Sequence, residues 1–271
     1  MRERSRLVVV MMAALLVAGG VALNVFDAAG QAPSVVDRVQ KDHVLRVGWG
    51  TWFPYIFKDP KTNKLTGFSY DLIEDLGKSM GATRVEWIED SWATMVAGIQ
   101  ARKFDMTNVM AITPPRAEAI AFSEPVTKHG LSILVSKDKL AGLKSWQDLN
   151  KPGVKLAVVL GSNTDFYATK ALANADLIRQ RTAPESIMAL TTGKVDGYAS
   201  TVDSLVPYTK EYPNLAVVPG EFGSSEVAFP VPKGDDAMLK VVNEFVQTKK
   251  KSGAIKALLD KYGMDASFAA N

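Results

Sequence analysis

Phe104-Asp105-Met106-Thr107-Asn108-Val109-Met110-Ala111-Ile112-Thr113-Pro114-Pro115-Arg116 reads as a β-type run that passes into a helix start. Residues 104–109 carry the strand character, and two prolines suit the first turn of the helix that follows. Free backbone N–H groups at such a handover, together with the Arg116 guanidinium, can grip a carboxylate through two hydrogen bonds. The plain alternative is a surface helix whose arginine sits in solvent.

The same strand-to-helix handover recurs on either side, which argues for an α/β protein with largely parallel sheets. Strand character opens at 44–48 and returns at 84–88. Between them Asp71 is the expected N-cap of a helix, with Glu74 at the capping-box position and Leu72, Ile73, Leu76 and Met80 as its apolar stripe. Ser91 is the expected cap of a helix with Trp92, Met95, Val96 and Ile99 on its apolar face. A second set of units follows Lys128: strands at 131–136, 154–160, 177–178, 195–200, 215–218 and 227–231, with helices at 145–149, 164–173, 184–192 and through Leu205. The C-terminal part reads as helix over 235–251 and 254–262.

Three arginines (Arg2, Arg4, Arg6) precede an apolar run from Leu7 to Val25, and the small residues Ala28, Ala29, Gly30 and Ala32 follow it. This is the pattern of a cleaved export signal, with cleavage expected after Ala32 and a periplasmic destination. The run is long enough to be weighed as an uncleaved anchor, since about 18 apolar residues can span a membrane, but Gly19, Gly20 and Asn24 weaken it as a span. Removing 32 of 271 residues leaves 239, enough for two lobes. The chain has no cysteine. Disulfides, thiolate zinc sites, cysteine nucleophiles and N-terminal lipidation are thereby excluded, and a soluble monomer is expected.

The mature part carries 29 basic and 27 acidic residues, a near balance that gives no sign of a nucleic-acid partner. Lys249-Lys250-Lys251 falls in a helical pattern and reads as a solvated face. His43 and His129 are the only histidines and lie outside metal-binding spacings, so no metal site and no His-based triad is expected. Gly48-Trp49-Gly50 follows a strand, but the third glycine of a dinucleotide fingerprint would fall at Phe53. No cofactor is expected.

Across the mature chain the sequence resembles the amino-acid-type periplasmic solute-binding proteins of ABC transporters, the bacterial extracellular solute-binding proteins of family 3. The matching pieces, in order, are Leu45-Arg46-Val47-Gly48, Trp52-Phe53-Pro54-Tyr55-Ile56-Phe57-Lys58-Asp59, Leu65-Thr66-Gly67-Phe68-Ser69-Tyr70-Asp71-Leu72, Ile112-Thr113-Pro114-Pro115-Arg116, Ala121-Phe122-Ser123-Glu124-Pro125, Gly161-Ser162-Asn163-Thr164, Gly193-Lys194-Val195-Asp196 and Val231-Pro232-Lys233-Gly234-Asp235. The resemblance implies a type II binding-protein fold of two lobes, each a mostly parallel sheet flanked by helices. The lobes would be 33–132 plus 232–271 and 133–231, joined by hinge strands at 131–136 and 227–233. A small carboxylate, an amino acid or a related metabolite, would bind between them and pass to a membrane permease.

By matching position, Arg116 is implied to hold the carboxylate, Trp52 and Trp92 to sandwich the ligand, and Thr113, Asn163 and Thr164 to bind its polar groups. Packing is the plain alternative for the tryptophans, and helix capping for Asn163 and Thr164. Two departures stand out. Thr201 occupies the position where the family usually carries the aspartate that pairs with an α-ammonium, so Asp203 or Glu226 would have to replace it, or the ligand lacks that group. The loop from Asp105 to Arg116 is also one residue shorter, which leaves Asn108, Met110 and Ala111 unassigned.

An enzyme on the same fold is the alternative. The chain also resembles the cyclohexadienyl dehydratases, which act on prephenate or arogenate, through Pro152-Gly153-Val154 and Gly161-Ser162-Asn163-Thr164-Asp165. Asp165 stands where they carry a glutamate acid. A carboxylate at a helix start is stabilised ionised, the wrong form for donating a proton, so capping is its expected role and no catalysis is expected. A receptor's sensory lobe would need a spanning helix after residue 262, and none is read there.

Overall fold

A computed structural model describes residues 33–270, so the export-signal reading of 1–32 lies outside the described residues. From Ser34 onward the described chain forms one compact unit. Strand β1 (Val44–Trp49) buries Leu45 and Val47 completely. Strands β2 (Phe57–Lys58) and β3 (Leu65–Thr66) form a small antiparallel pair, and β4 (Arg84–Glu89) lies parallel to β1. On the other side of β1 runs β5 (Met106–Thr107), again parallel, which completes a three-stranded sheet in the order β4-β1-β5. The buried carboxylate of Asp105 fixes this edge: it accepts from the Arg46 backbone N–H at 2.7 Å and pairs with the Arg38 and Arg46 guanidinium groups.

The following strands are β6 (Met110–Ala111), β7 (Ala121–Phe122) and the long β8 (Thr127–Ser136). Then come β9 (Lys155–Val159), β10 (Asp176–Gln180), β11 (Gly197–Thr201), β12 (Leu215–Val217), β13 (Gly223–Ala228) and β14 (Pro230–Val231). A second sheet has the order β10-β9-β11-β8-β13-β6, with β12 also on β8. Only its β10-β9-β11 portion is parallel. Around β8 every pairing is antiparallel, because β8 and β13 cross the molecule in opposite directions, so this sheet is mixed rather than mostly parallel.

The buried apolar residues separate into clusters on the two sides of these crossing strands. One side gathers Leu45, Val47, Leu72, Leu76, Val227, Phe229 and Val242, with Met95, Ile99 and Phe104 beside them. The other gathers Leu131, Ile133, Leu156 and Val158, with Ala157, Ile187 and Leu190 adjoining. This is the two-lobed architecture of type II binding proteins.

Two helices begin elsewhere than the sequence suggests. Helix Phe68–Ser79 starts three residues before Asp71, on Gly67. Gly67 has φ of 127°, and a Cβ there would lie 2.4 Å from the Tyr55 carbonyl oxygen, so a glycine is required. Asp71 instead accepts hydrogen bonds from the Tyr262 hydroxyl and the Lys261 ammonium, tying the helix to the C-terminal segment. Helix Met95–Gln100 starts after Thr94 rather than after Ser91. The hydroxyls of Ser91 and Thr94 and the Asp90 carboxylate bond one another and hold 91–94 as a turn, which releases Trp92 from the helix.

Candidate functional site

The cavity with the most converging polar side chains lies where the two lobes face each other, and holds about 540 Å³ of empty space, part of it open to solvent. Its walls include Trp52, Trp92 and Arg116 from one lobe and Asn163, Thr164 and Thr201 from the other. Six of the eight residues singled out from the sequence therefore meet in one place.

Arg116 belongs to the short helix Pro114–Ala119, which begins at Thr113. It is 8% exposed, not solvated. Nη1 donates to the Ala111 carbonyl at 2.8 Å, and Nη2 donates across to the Gly161 carbonyl of the other lobe at 2.9 Å. Those bonds use two of the five guanidinium N–H donors. No carboxylate is paired with it among the described residues, and burial pushes its pKa down to about 10. A charge held this way is stabilised by carbonyl dipoles and the nearby Trp92 ring but by no counter-charge, which leaves a favourable place for an external anion.

Gly161 permits this approach of the lobes. Its φ is 74°, and a Cβ would lie 2.6 Å from the Ala93 Cα. Behind it Ser162 caps helix Asn163–Ala171 by accepting from the Asp165 N–H, while Asp165 accepts from the Gly161 N–H at 3.0 Å. The same Asp165 carboxylate takes the Arg179 Nε–H at 2.9 Å. Asp165 is therefore not the cap expected of it: Ser162 is the N-cap, and Asp165 braces the preceding loop through Gly161 and pairs with Arg179. Asn163 Nδ2 donates to Ser225 Oγ on β13, so this side chain is tied to a crossing strand rather than used only as a cap.

Trp52 stacks on Tyr55 with ring centroids 4.0 Å apart and meets Trp92 edge-on at 5.9 Å. Its indole N–H donates to Ser204 Oγ at 3.0 Å, and that hydroxyl donates to the Phe53 carbonyl at 2.6 Å. Thr201 Oγ1 donates to the same Ser204 oxygen. This chain of hydroxyls latches one lobe to the other. Trp92 donates to the Thr51 carbonyl, packs against apolar clusters of both lobes, and carries the Arg116 guanidinium 6.0 Å from its ring centroid.

Three of the residues named from the sequence, Thr113, Asp203 and the alternative acid Glu226, fall outside the cavity. Thr113 is buried, stands at the N-cap without a side-chain capping bond, and borders a neighbouring groove with Gly161 and Asp165. Asp203 is also buried, in the first turn of helix Val202–Glu211, and faces His129 of β8, with Oδ2 3.4 Å from Nδ1. Burial alone would raise the Asp203 carboxyl, but His129 and the hydroxyls of Thr201 and Tyr55 outweigh it and hold the pKa below the usual aspartate value. Burial in turn raises the Tyr55 hydroxyl well above its ordinary range. Glu226 is exposed on β13 and does not line the cavity either.

The reading from sequence missed Ser204, Phe53, Ser200 and Tyr198, all of which reach the cavity. The hydroxyl-rich run Ser200-Thr201-Val202-Asp203-Ser204 at a strand-to-helix handover was the available signal for three of the cavity's hydroxyls. Tyr198 gave none, since a tyrosine in a strand reads as packing.

Two lobes joined by paired crossing strands, with an anion-seeking arginine in the cleft between them, define a binding protein that closes on a solute. Residues 45–265 match the bacterial extracellular solute-binding proteins, family 3, and the chain belongs to that family. It is similar to the L-cystine-binding protein TcyJ of Escherichia coli strain K12, 29% identical over 94% of each chain. It is also similar to the crystal structure of the ancestral amino acid-binding protein AncCDT-1, a precursor of cyclohexadienyl dehydratase. That match has 33% identity and a TM-score of 0.78 and covers 85% of this chain and 99% of that one. The solute receptor for L-cysteine of Neisseria gonorrhoeae matches at 28% identity and a TM-score of 0.78, covering 85% of this chain and 93% of that one.

Proposed function

We propose that the protein is the exported solute-binding component of an ABC uptake system, and that it closes its two lobes around a small carboxylate of amino-acid size for delivery to a membrane permease. The observation that carries this reading is Arg116: a buried guanidinium without an acidic partner among the described residues, donating to a carbonyl of each lobe, with N–H groups left in the cleft. The names of its relatives, which bind cystine, cysteine and other amino acids, set the size of the solute. The lobe bounds expected from the sequence, 33–132 plus 232–271 and 133–231, are adjusted at the return crossing: Val227, Phe229 and Val231 pack with the first lobe, so the boundary is taken within β13 rather than at 231. Residues 1–32 are taken as a cleaved signal, leaving a soluble periplasmic monomer.

Binding without catalysis is the reading for Asp165 as well. Its carboxylate is engaged by the Gly161 N–H and the Arg179 Nε–H and borders the neighbouring groove rather than the cavity, so it is not placed against a bound solute. Turnover of prephenate or arogenate at about 1 per second or more, lost in Asp165→Asn, would overturn this.

Arg116→Ala tests the function itself. Removing a bidentate charge-assisted contact is expected to weaken carboxylate binding at least about 100-fold in a calorimetric titration. The melting temperature of the unliganded protein should change little. Retained affinity would refute the site.

A further inference from the structure

Resting on the carboxylate reading of Arg116, we propose that the cleft selects carboxylates whose α-position bears a neutral group, a hydroxyl or an oxo oxygen, over the corresponding α-ammonium compounds. Among the described residues that line the cavity, Arg116 is the one charged side chain and none is acidic. An anionic ligand therefore brings the buried cleft to zero net charge. A zwitterion leaves it at plus one, with the ammonium desolvated and no carboxylate to face it.

The neighbouring acids are committed elsewhere. Asp203 faces His129 through one oxygen and accepts from the Ser204 N–H through the other. Asp165 borders the adjacent groove and is held by Arg179 and Gly161. Glu226 is exposed and lies outside the cavity lining.

The aromatic faces are committed too. One face of Trp52 is covered by Tyr55, stacked at 4.0 Å with 13° between the planes, and Trp92 already has the Arg116 guanidinium near its ring. A cation–π seat for an ammonium is thus restricted at both rings. What the cleft offers is the unused N–H donors of Arg116 and the second Nδ2–H of Asn163, a set that suits oxygen atoms, while the Trp52 N–H and the Thr201 and Ser204 hydroxyl protons are taken up within the latch.

The test titrates the protein, stripped of carried ligand by unfolding and refolding, with matched pairs that differ only at Cα: phenylalanine against phenyllactate and phenylpyruvate, and leucine against 2-hydroxyisocaproate and 2-oxoisocaproate. L-Cysteine and L-cystine are added on the amino-acid side. In at least one series the hydroxy or oxo acid should bind at least about tenfold more tightly than its amino acid, the effect of losing a charge-assisted partner. Thr201→Asp, which places a carboxylate at a buried cavity position, should reverse that preference. Amino acids bound as tightly as their hydroxy and oxo partners, or more tightly, would overturn the inference and leave the carboxylate reading intact. So would a Thr201→Asp protein that melts cooperatively and keeps the wild-type preference. A protein that bound no member of any series would overturn the carboxylate reading as well.

Discussion

Arg116 and the Asp203–His129 pair are both ionisable groups buried between the lobes, yet one faces open space and the members of the other face each other. Asp203 and His129 face each other from helix Val202–Glu211 and strand β8, with their side chains fully buried and with Tyr55 beside them. Arg116 has the dipoles of two carbonyls, the Trp92 ring nearby and an open cavity in front of it. A buried charge that already has a counter-group holds structure together. One that lacks it is set to be completed by something that is not part of the chain.

That contrast predicts different losses when each is removed. Asp203→Ala leaves the His129 imidazole buried with no partner, and breaking a buried pair from one side costs about 3–5 kcal/mol. For a domain of this size the melting temperature should fall by roughly 6–20 °C, while Arg116→Ala in the unliganded protein should stay within a few degrees of wild type. A thermal melt of both variants checks this. Equal losses would mean that Arg116 is structural.

A smaller effect should appear with acid. Because the folded-state pKa of Asp203 lies below its ordinary value of 3.8, its contribution is complete above that value and is lost as pH falls through the folded pKa. The stability advantage of wild type over Asp203→Asn should therefore narrow as pH is lowered from about 5 toward about 2. A gap that stayed constant would show that Asp203 is not ionised in the folded protein.

The smallest expected change concerns the latch between the lobes. Trp52→Phe keeps an aromatic ring against Tyr55 but removes the N–H that reaches Ser204. One such bond contributes about 1 kcal/mol, so ligand affinity should weaken about fivefold with the apo melting temperature unchanged. A loss comparable to that of Arg116→Ala would make Trp52 a principal ligand contact rather than a closing contact.

The sequence carried the fold further than the site. Strand and helix periods located β1, β4, β8, β9 and both C-terminal helices, because 2- and 3.6-residue repeats are written locally. Helix starts were less legible where a glycine with positive φ or a cluster of hydroxyls took the place of the expected cap, as at Gly67 and Thr94. Within the site, Arg116 could be named from its strand-to-helix handover, whereas Trp52, Trp92, Asn163, Thr164 and Thr201 were implied by the family resemblance at matching positions.

Which acid serves the cleft was a different kind of question. Thr201 and Asp203 are two residues apart at one helix start, and the local sequence treats them alike. The sequence by itself determined the alternation of elements, the charge balance and the presence of a lone arginine after Thr-Pro-Pro. Only the tertiary structure decided that Thr201 looks into the cavity while Asp203 turns to His129, because that choice depends on a strand from a distant part of the chain packing beneath the helix and supplying the buried partner the carboxylate needs.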